Sequence, residues 1–238
     1  MRGSAEDPSS PRRRFDDFDD EDCAVSLPLE SSFPCFHTTM PNPPEGSVPL
    51  TWDAEILAAL LAEIGVSHVV TLPDNTSAPL LEAISLRADL RLLLGTREGE
   101  VISLAAGLWL GGCSPMVIIQ NTGLLEAGDS LRGTASRMGA PLLMFVTCRG
   151  YEKSRTLGRE PGDVEVTRDL LVRSDLDSVA HMTESTLRAW GIPFLFLRDP
   201  ADLDTVRDAW KRAHEEERPV ALLLDTSFTQ GPRDHGLG

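Results

Sequence analysis

Four cysteines in 238 residues, Cys23, Cys35, Cys113 and Cys148, show no C-x-x-C spacing, so the chain has no thiol metal motif and reads as a protein of a reducing compartment. The five histidines, His37, His68, His181, His214 and His235, never approach one another or a cysteine at ligand spacing. No structural zinc site is expected, and no metal ligand is assigned. No apolar run approaches the ~20 residues needed to span a membrane, and the N-terminus has no apolar h-region. A soluble, cytoplasmic protein is the expectation. Clustered basic residues are also missing: the formal net charge is −15, which argues against nucleic acid, because neutralising phosphates requires grouped Lys and Arg. There is no internal repeat.

The acidity is not confined to one end. Residues 1–46 hold 10 acids and 4 bases, leaving 27 acids and 18 bases, a net of −9, for the rest. That first segment joins Arg12-Arg13-Arg14 to an acidic run, Asp16 to Asp22, and a Pro/Ser-rich stretch ending Pro41-Asn42-Pro43-Pro44. It offers too little apolar surface to offset the entropy of ordering, so residues 1–46 are expected to be a disordered tail. Residues 47–230 are read as one domain and 231–238 as a flexible end. A domain near this size can bury roughly 70% of its unfolded surface without help from disulfides or metal.

Strand and helix patterns alternate along the domain without a break. Thr51 is placed to cap a helix whose apolar stripe is Ile56, Leu57, Leu60, Leu61 and Ile64, with Gly65 just past its end. Val66–Leu72 reads as a strand, closed by the turn Pro73-Asp74-Asn75 before a helix around Pro79–Leu86. Leu92–Leu94 and Met116–Ile119 read as strands buried on both faces, with a helix over Val101–Leu110 between them. Its Ala105-Ala106-Gly107 cluster suits close packing against a neighbouring backbone. Glu126–Met138 is expected to be helical, Pro141–Thr147 a strand ending at Cys148-Arg149-Gly150, and Tyr151–Gly162 a polar loop. One or two helices follow in Val164–Ala189, then a strand Ile192–Leu197, a helix Ala201–His214 and a strand Val220–Leu224. This order predicts an α/β fold: a doubly wound, mostly parallel sheet with helices on both faces.

Glu98 falls where a strand ends and a helix begins, on the carboxyl edge at which such sheets bind ligands. Its ordinary reading is a carboxylate complementing the helix dipole, worth about 0.3–1 kcal/mol. Asp74 lies at a second strand end, where Pro-Asp-Asn is commonly a turn-former or helix cap. Arg149, at a third, is either a surface arginine or a partner for an anionic group.

The run Arg97-Glu98-Gly99-Glu100, then Leu104-Ala105-Ala106-Gly107, then Gln120-Asn121-Thr122-Gly123-Leu124 resembles the pyrimidine-binding (PYR) domain of thiamine diphosphate enzymes. Within that superfamily it is most similar to the sulfopyruvate decarboxylase alpha subunit and to the matching half of phosphonopyruvate decarboxylase. Gly107 falls nine residues after Glu98, the family's spacing, which registers Glu98 rather than Glu100 as the cofactor-activating glutamate. Weaker likeness runs from about Val48 to Phe228, through Leu72-Pro73-Asp74-Asn75, Arg149-Gly150, Gly191-Ile192-Pro193 and Arg218-Pro219-Val220-Ala221.

The resemblance implies a chemistry. The cofactor carries the electron sink at its thiazolium C2. A carboxylate bonded to N1′ of its aminopyrimidine favours the imino tautomer, whose exocyclic nitrogen removes the C2 proton. Glu98 takes that role by resemblance, in a dry pocket for which Leu94, Val101, Leu104 and Leu124 are the candidate walls. Thr96, Asn121, Thr122, Gly123 and Leu124 are the implied cofactor contacts, and Asp74, Asn75 and Arg149 the implied substrate side.

Enzymes of this superfamily hold the diphosphate through Mg²⁺ on a G-D-G motif followed by a later Asn. The chain has no G-D-G; Pro161-Gly162-Asp163-Val164 lacks the second glycine, and Asn121 is the last asparagine. The resemblance therefore implies a beta-type partner carrying the diphosphate domain and the Mg²⁺ ligands, in a hetero-oligomer such as α2β2. The implied substrate is a 2-oxo acid with a second anionic group. Where relatives continue Gly-Asn after Leu124, this chain has Leu125-Glu126, and Asp129 replaces a later Asn. That altered rim leaves carboligation open beside decarboxylation, and a non-catalytic regulatory subunit of the same fold stands as the third reading.

Overall fold

The computed structural model describes residues 51–199, 202–225 and 227–229. The expected tail at 1–46 and the end at 231–238 lie outside the described residues. Six strands form one wholly parallel sheet: β2 (His68–Thr71), β3 (Arg91–Leu94), β4 (Pro115–Gln120), β5 (Leu143–Thr147), β6 (Phe194–Leu197) and β7 (Val220–Leu224). Their order across the sheet is β3-β2-β4-β5-β7-β6. A two-stranded parallel pair, β1 (Thr51–Asp53) with β8 (Ser227–Thr229), adds elements too short for the pattern to announce.

Each connection within this sheet carries a helical crossover to another parallel strand, and the helices divide between the two faces. On one face α1 (Ala54–Glu63), α2 (Ala78–Ser85) and α10 (Leu203–Glu215) bury Leu57, Leu61, Leu80, Ile84, Val206 and Ala209 against Val69, Met116, Ile118 and Leu222. On the other, α3 (Glu98–Leu110) and α9 (Ser178–Ala189) bury Val101, Ile102, Ala105 and Leu187 among the inward residues of Val70, Val117, Ile119, Met144 and Leu223. β2, β5 and β7 are buried along their whole length, and β4 up to its last residue, Gln120, as central strands of a parallel sheet should be. The expected doubly wound architecture is the observed one.

Several local expectations are corrected. The cap of α1 is Asp53, which accepts from the amides of Glu55 and Ile56 at 2.9 and 3.2 Å, and Thr51 instead pairs in β1. Ile56 leaves the apolar stripe and is 53% exposed. Leu92–Leu94 is not buried on both faces, because β3 is an edge strand with Leu94 exposed. In α3, Ala105 and Ala106 are buried, but a Cβ on Gly107 would meet nothing, so that glycine faces open space.

The segment after β4 is helical from its first residue. α4 (Asn121–Glu126) starts on the residue after the strand and runs on through α5 (Gly128–Ser130), a π-turn over Leu131–Ala135 and α6 (Ser136–Met138). The expected polar loop contains α7 (Tyr151–Thr156) and a 3₁₀ turn at Pro161–Asp163, and its Tyr151 ring is fully buried. α8 (Arg168–Leu171) precedes α9.

Candidate active site

The sheet order reverses beside β2: one connection leaves it for β3 over one face, and the next returns to β4 over the other. Ligands of open α/β sheets bind in the crevice at such a switch point, outside the carboxyl ends of the strands. The ends of β2 and β4 border the crevice, and α3 brings Glu98 to it from β3.

Glu98 is the first residue of α3, half-buried, and its carboxylate makes no hydrogen bond or ion pair among the described residues. It lies on Gly123. A Cβ placed there would overlap Cγ and Oε1 of Glu98 and stand 2.7 Å from its Cδ. Only glycine leaves the carboxylate this room, and α4 begins early enough to put Gly123 in its first turn. The arrangement leaves a carboxylate with no hydrogen-bond partner among the described residues beside a glycine that has no side chain to cover it.

Neighbouring acids are occupied. Glu100 reaches back to the start of its own helix, accepting from the Thr96 amide and the Thr96 hydroxyl, both at 2.7 Å. The Thr96 hydroxyl, with its amide second, holds the Glu100 carboxyl below the usual range. Glu126 closes the other side. Its Oε1 accepts from Arg97 Nε and Nη2 at 3.1 and 2.7 Å, and its Oε2 from the Gly99 amide at 2.7 Å. The residue that departs from the family pattern thus binds the first turn of the helix that carries Glu98. That departure was visible in the sequence, but its partner, 29 positions away, was not.

The remaining expected site residues are dispersed around the same edge. Asp74 holds its own turn: Oδ1 accepts from the amides of Thr76 and Ser77 at 2.7 and 3.1 Å, and Oδ2 from Ser77 Oγ at 2.7 Å. Asn75 is exposed. Asn121 is fully buried, its Nδ2 donating to Arg149 O at 2.9 Å and Thr183 Oγ1 at 3.2 Å, while its Oδ1 has no partner. It ties the end of β4 to the end of β5. Thr122 is exposed and donates to Gln120 Oε1 at 2.8 Å; Leu124 is buried in the core. Arg149 pairs through Nε with Asp177 at 2.8 Å and lines a separate open cleft.

The walls expected around Glu98 are only half present. Val101 and Leu124 are fully buried, but Leu94 and Leu104 are 48% and 39% exposed. Among the described residues no group of three or more His, Cys, Asp or Glu is placed to hold a metal ion, and no helix is long and apolar enough to cross a membrane.

Known proteins resemble this chain in sequence and in fold. Residues 52–167 match the model of the thiamine pyrophosphate enzyme, N-terminal TPP binding domain. Phosphonopyruvate decarboxylase of Streptomyces viridochromogenes is 31% identical over 121 residues, which are 51% of this chain and 30% of that protein. Sulfopyruvate decarboxylase subunit alpha of Methanococcus maripaludis is 23% identical over 176 residues, 74% of this chain and 95% of the subunit. The chain therefore spans less than a third of the one relative and nearly all of the other. Benzoylformate decarboxylase from Polynucleobacter necessarius shares the fold, with a TM-score of 0.54 and 21% identity over 77% of this chain and 32% of that one. Residues 52–167 thus carry the likeness of this chain to the thiamine pyrophosphate enzyme N-terminal TPP binding domain.

Proposed function

We propose that this chain is the pyrimidine-binding subunit of a two-component thiamine diphosphate-dependent 2-oxo acid decarboxylase, with Glu98 as the residue that activates the cofactor. The observation that carries this reading is the half-buried, unpartnered Glu98 carboxylate seated on Gly123. A carboxylate kept only to complement a helix dipole needs no such cradle, and Glu126 already serves the Gly99 amide.

When bound, the cofactor supplies the electron sink for the electrons released with carbon dioxide. The chain's own part is electrostatic. Glu98 accepts a hydrogen bond at N1′ of the aminopyrimidine and so holds a proton on that nitrogen. Its strength depends on a low local dielectric, because a carboxylate in open water is already solvated. Here the expected walls Leu94 and Leu104 are exposed, so the dryness must come from a second surface laid over the site. That requirement and the likeness to alpha subunits along nearly their whole length support a diphosphate-binding partner chain that brings Mg²⁺. The relatives' names support sulfopyruvate or phosphonopyruvate as the substrate class. An acid free of structural duty argues against a purely regulatory subunit.

The test is co-purification with a candidate chain containing G-D-G, followed by an assay of carbon dioxide release from each 2-oxo acid. Turnover is expected in the complex alone and should fall at least about 10²-fold in Glu98→Gln, the lower end for a lost proton-transfer contribution. Wild-type turnover in that variant would contradict the reading.

A further inference from the structure

The cleft beside Arg149 is unlike its surroundings. It measures about 610 Å³ and is lined by Arg149, Gly150, Lys153, Leu171, Arg173, Leu176, Asp177 and Ser178. In a chain of net charge −15 it gathers three cations against one lining acid. Their charges are only partly used. The Lys153 ammonium has no partner among the described residues, and Arg149 spends only Nε on Asp177. Arg173 spends Nε and Nη2 on Asp175, whose carboxyl its guanidinium draws down to about 2. One nitrogen on Arg173 and two on Arg149 are left over.

Two further features shape the cleft. Ser178 on its wall is the first residue of the twelve-residue α9, whose N-cap Asp177 turns its side chain to Arg149 instead of to the helix amides. The helix therefore presents its positive end there uncapped. Gly150 has φ +87°, and a Cβ on it would stand 2.8 Å from Cβ of Asp177, so only glycine lets α9 begin this close to Arg149. Planar guanidinium groups and a mobile ammonium converging in one opening suit a tetrahedral or planar oxyanion. The volume falls within the range of metabolite sites, about 300–1,000 Å³, and exceeds what a bare ion needs.

We infer that this cleft binds a small organic molecule bearing a tetrahedral oxyanion group such as a phosphonate, sulfonate or phosphate, through Arg149, Lys153 and Arg173. The oxyanion is carried either by the substrate or by a separate effector. Only the first of these rests on the proposed function; the cleft itself does not involve Glu98.

The experiment is calorimetric titration of inorganic phosphate and of phosphonoacetate into the full chain at low ionic strength. Both probes are expected to bind, and each should weaken by roughly tenfold or more in Lys153→Glu and in Arg173→Glu, the loss of a charge-assisted contact. Lys211→Glu, on the opposite face, should leave the affinity unchanged, and so should Glu98→Gln. Phosphonoacetate binding tighter than phosphate points to the substrate, whose carboxylate adds a second anchor; equal affinity points to an effector recognised by its oxyanion alone. No binding of either probe at millimolar concentration, or equal weakening by Lys153→Glu and Lys211→Glu, would overturn the inference while leaving the Glu98 reading intact. Unfolding temperatures of the exposed-residue variants should match the wild type, which shows that the fold is retained.

Discussion

Gly123 and Glu98 are in contact across the gap between α4 and α3, with no room for a Cβ between them. The cheapest response to Gly123→Ala is for the flexible Glu98 side chain to swing away, because the backbone of α4 is fixed by its packing. Overpacking that a core would meet with about 1–3 kcal/mol should therefore cost little stability here. Cofactor affinity in the complex should nevertheless collapse. Thermal unfolding with parallel thiamine diphosphate titration checks the pair of outcomes; loss of fold and cofactor together would mean that Gly123 serves packing alone.

Glu126 ties Arg97 and the Gly99 amide, so Glu126→Ala should release the first turn of α3. The pair is largely solvent-exposed, and the stability loss should be only about 0.3–1 kcal/mol. Activity should fall further than stability, because the freed turn carries Glu98. The comparison to make is turnover at a temperature well below the transition of the variant.

Leu94 and Leu104, expected as walls of the cofactor pocket, are exposed. Leu94→Asp and Leu104→Asp should leave the unfolding of the chain nearly unchanged, within about 0.5 kcal/mol. Analytical ultracentrifugation with the partner should show weakened association. Undiminished association would remove this surface from the interface.

Two groups set a pH dependence with opposite chemistry and the same sign. Glu100 has its folded pKa drawn below 4.5 by the Thr96 hydroxyl, so its contribution is complete above 4.5 and declines as pH falls through the folded value. His68 has its folded pKa lowered from 6.5, first by burial and then by Arg91, so the unfolded chain binds the proton more readily and stability declines as pH falls below 6.5. Denaturant titrations should show His68→Asn flattening the slope just below 6.5, and Glu100→Gln flattening it below 4.5. Neither variant should alter the slope above about pH 8.

The legible parts of the fold were those fixed by local pattern. Val117–Ile119 and Leu222–Leu224 are buried on both faces of a parallel sheet, so they are apolar without interruption and could be read directly. Leu92–Leu94 looks the same in sequence, yet β3 is an edge, and nothing local distinguishes an edge from a centre. Glu98 was singled out by its register with Gly107, yet Gly107 faces outward, and what the structure adds is the contact of Glu98 with Gly123. The Arg97–Glu126 clamp and the meeting of Arg149, Lys153 and Arg173 depend on residues brought together by crossovers, which no window of sequence contains.

The central claim is that Glu98 activates thiamine diphosphate in a site completed by a second chain. The most direct measurement is calorimetric titration of thiamine diphosphate with Mg²⁺ into this chain, into the candidate partner and into their mixture, each repeated with Glu98→Gln. The account predicts tight binding in the mixture alone, strongly weakened by the substitution. Equal binding by the wild-type and Glu98→Gln mixtures, or full binding by the partner without this chain, would contradict it.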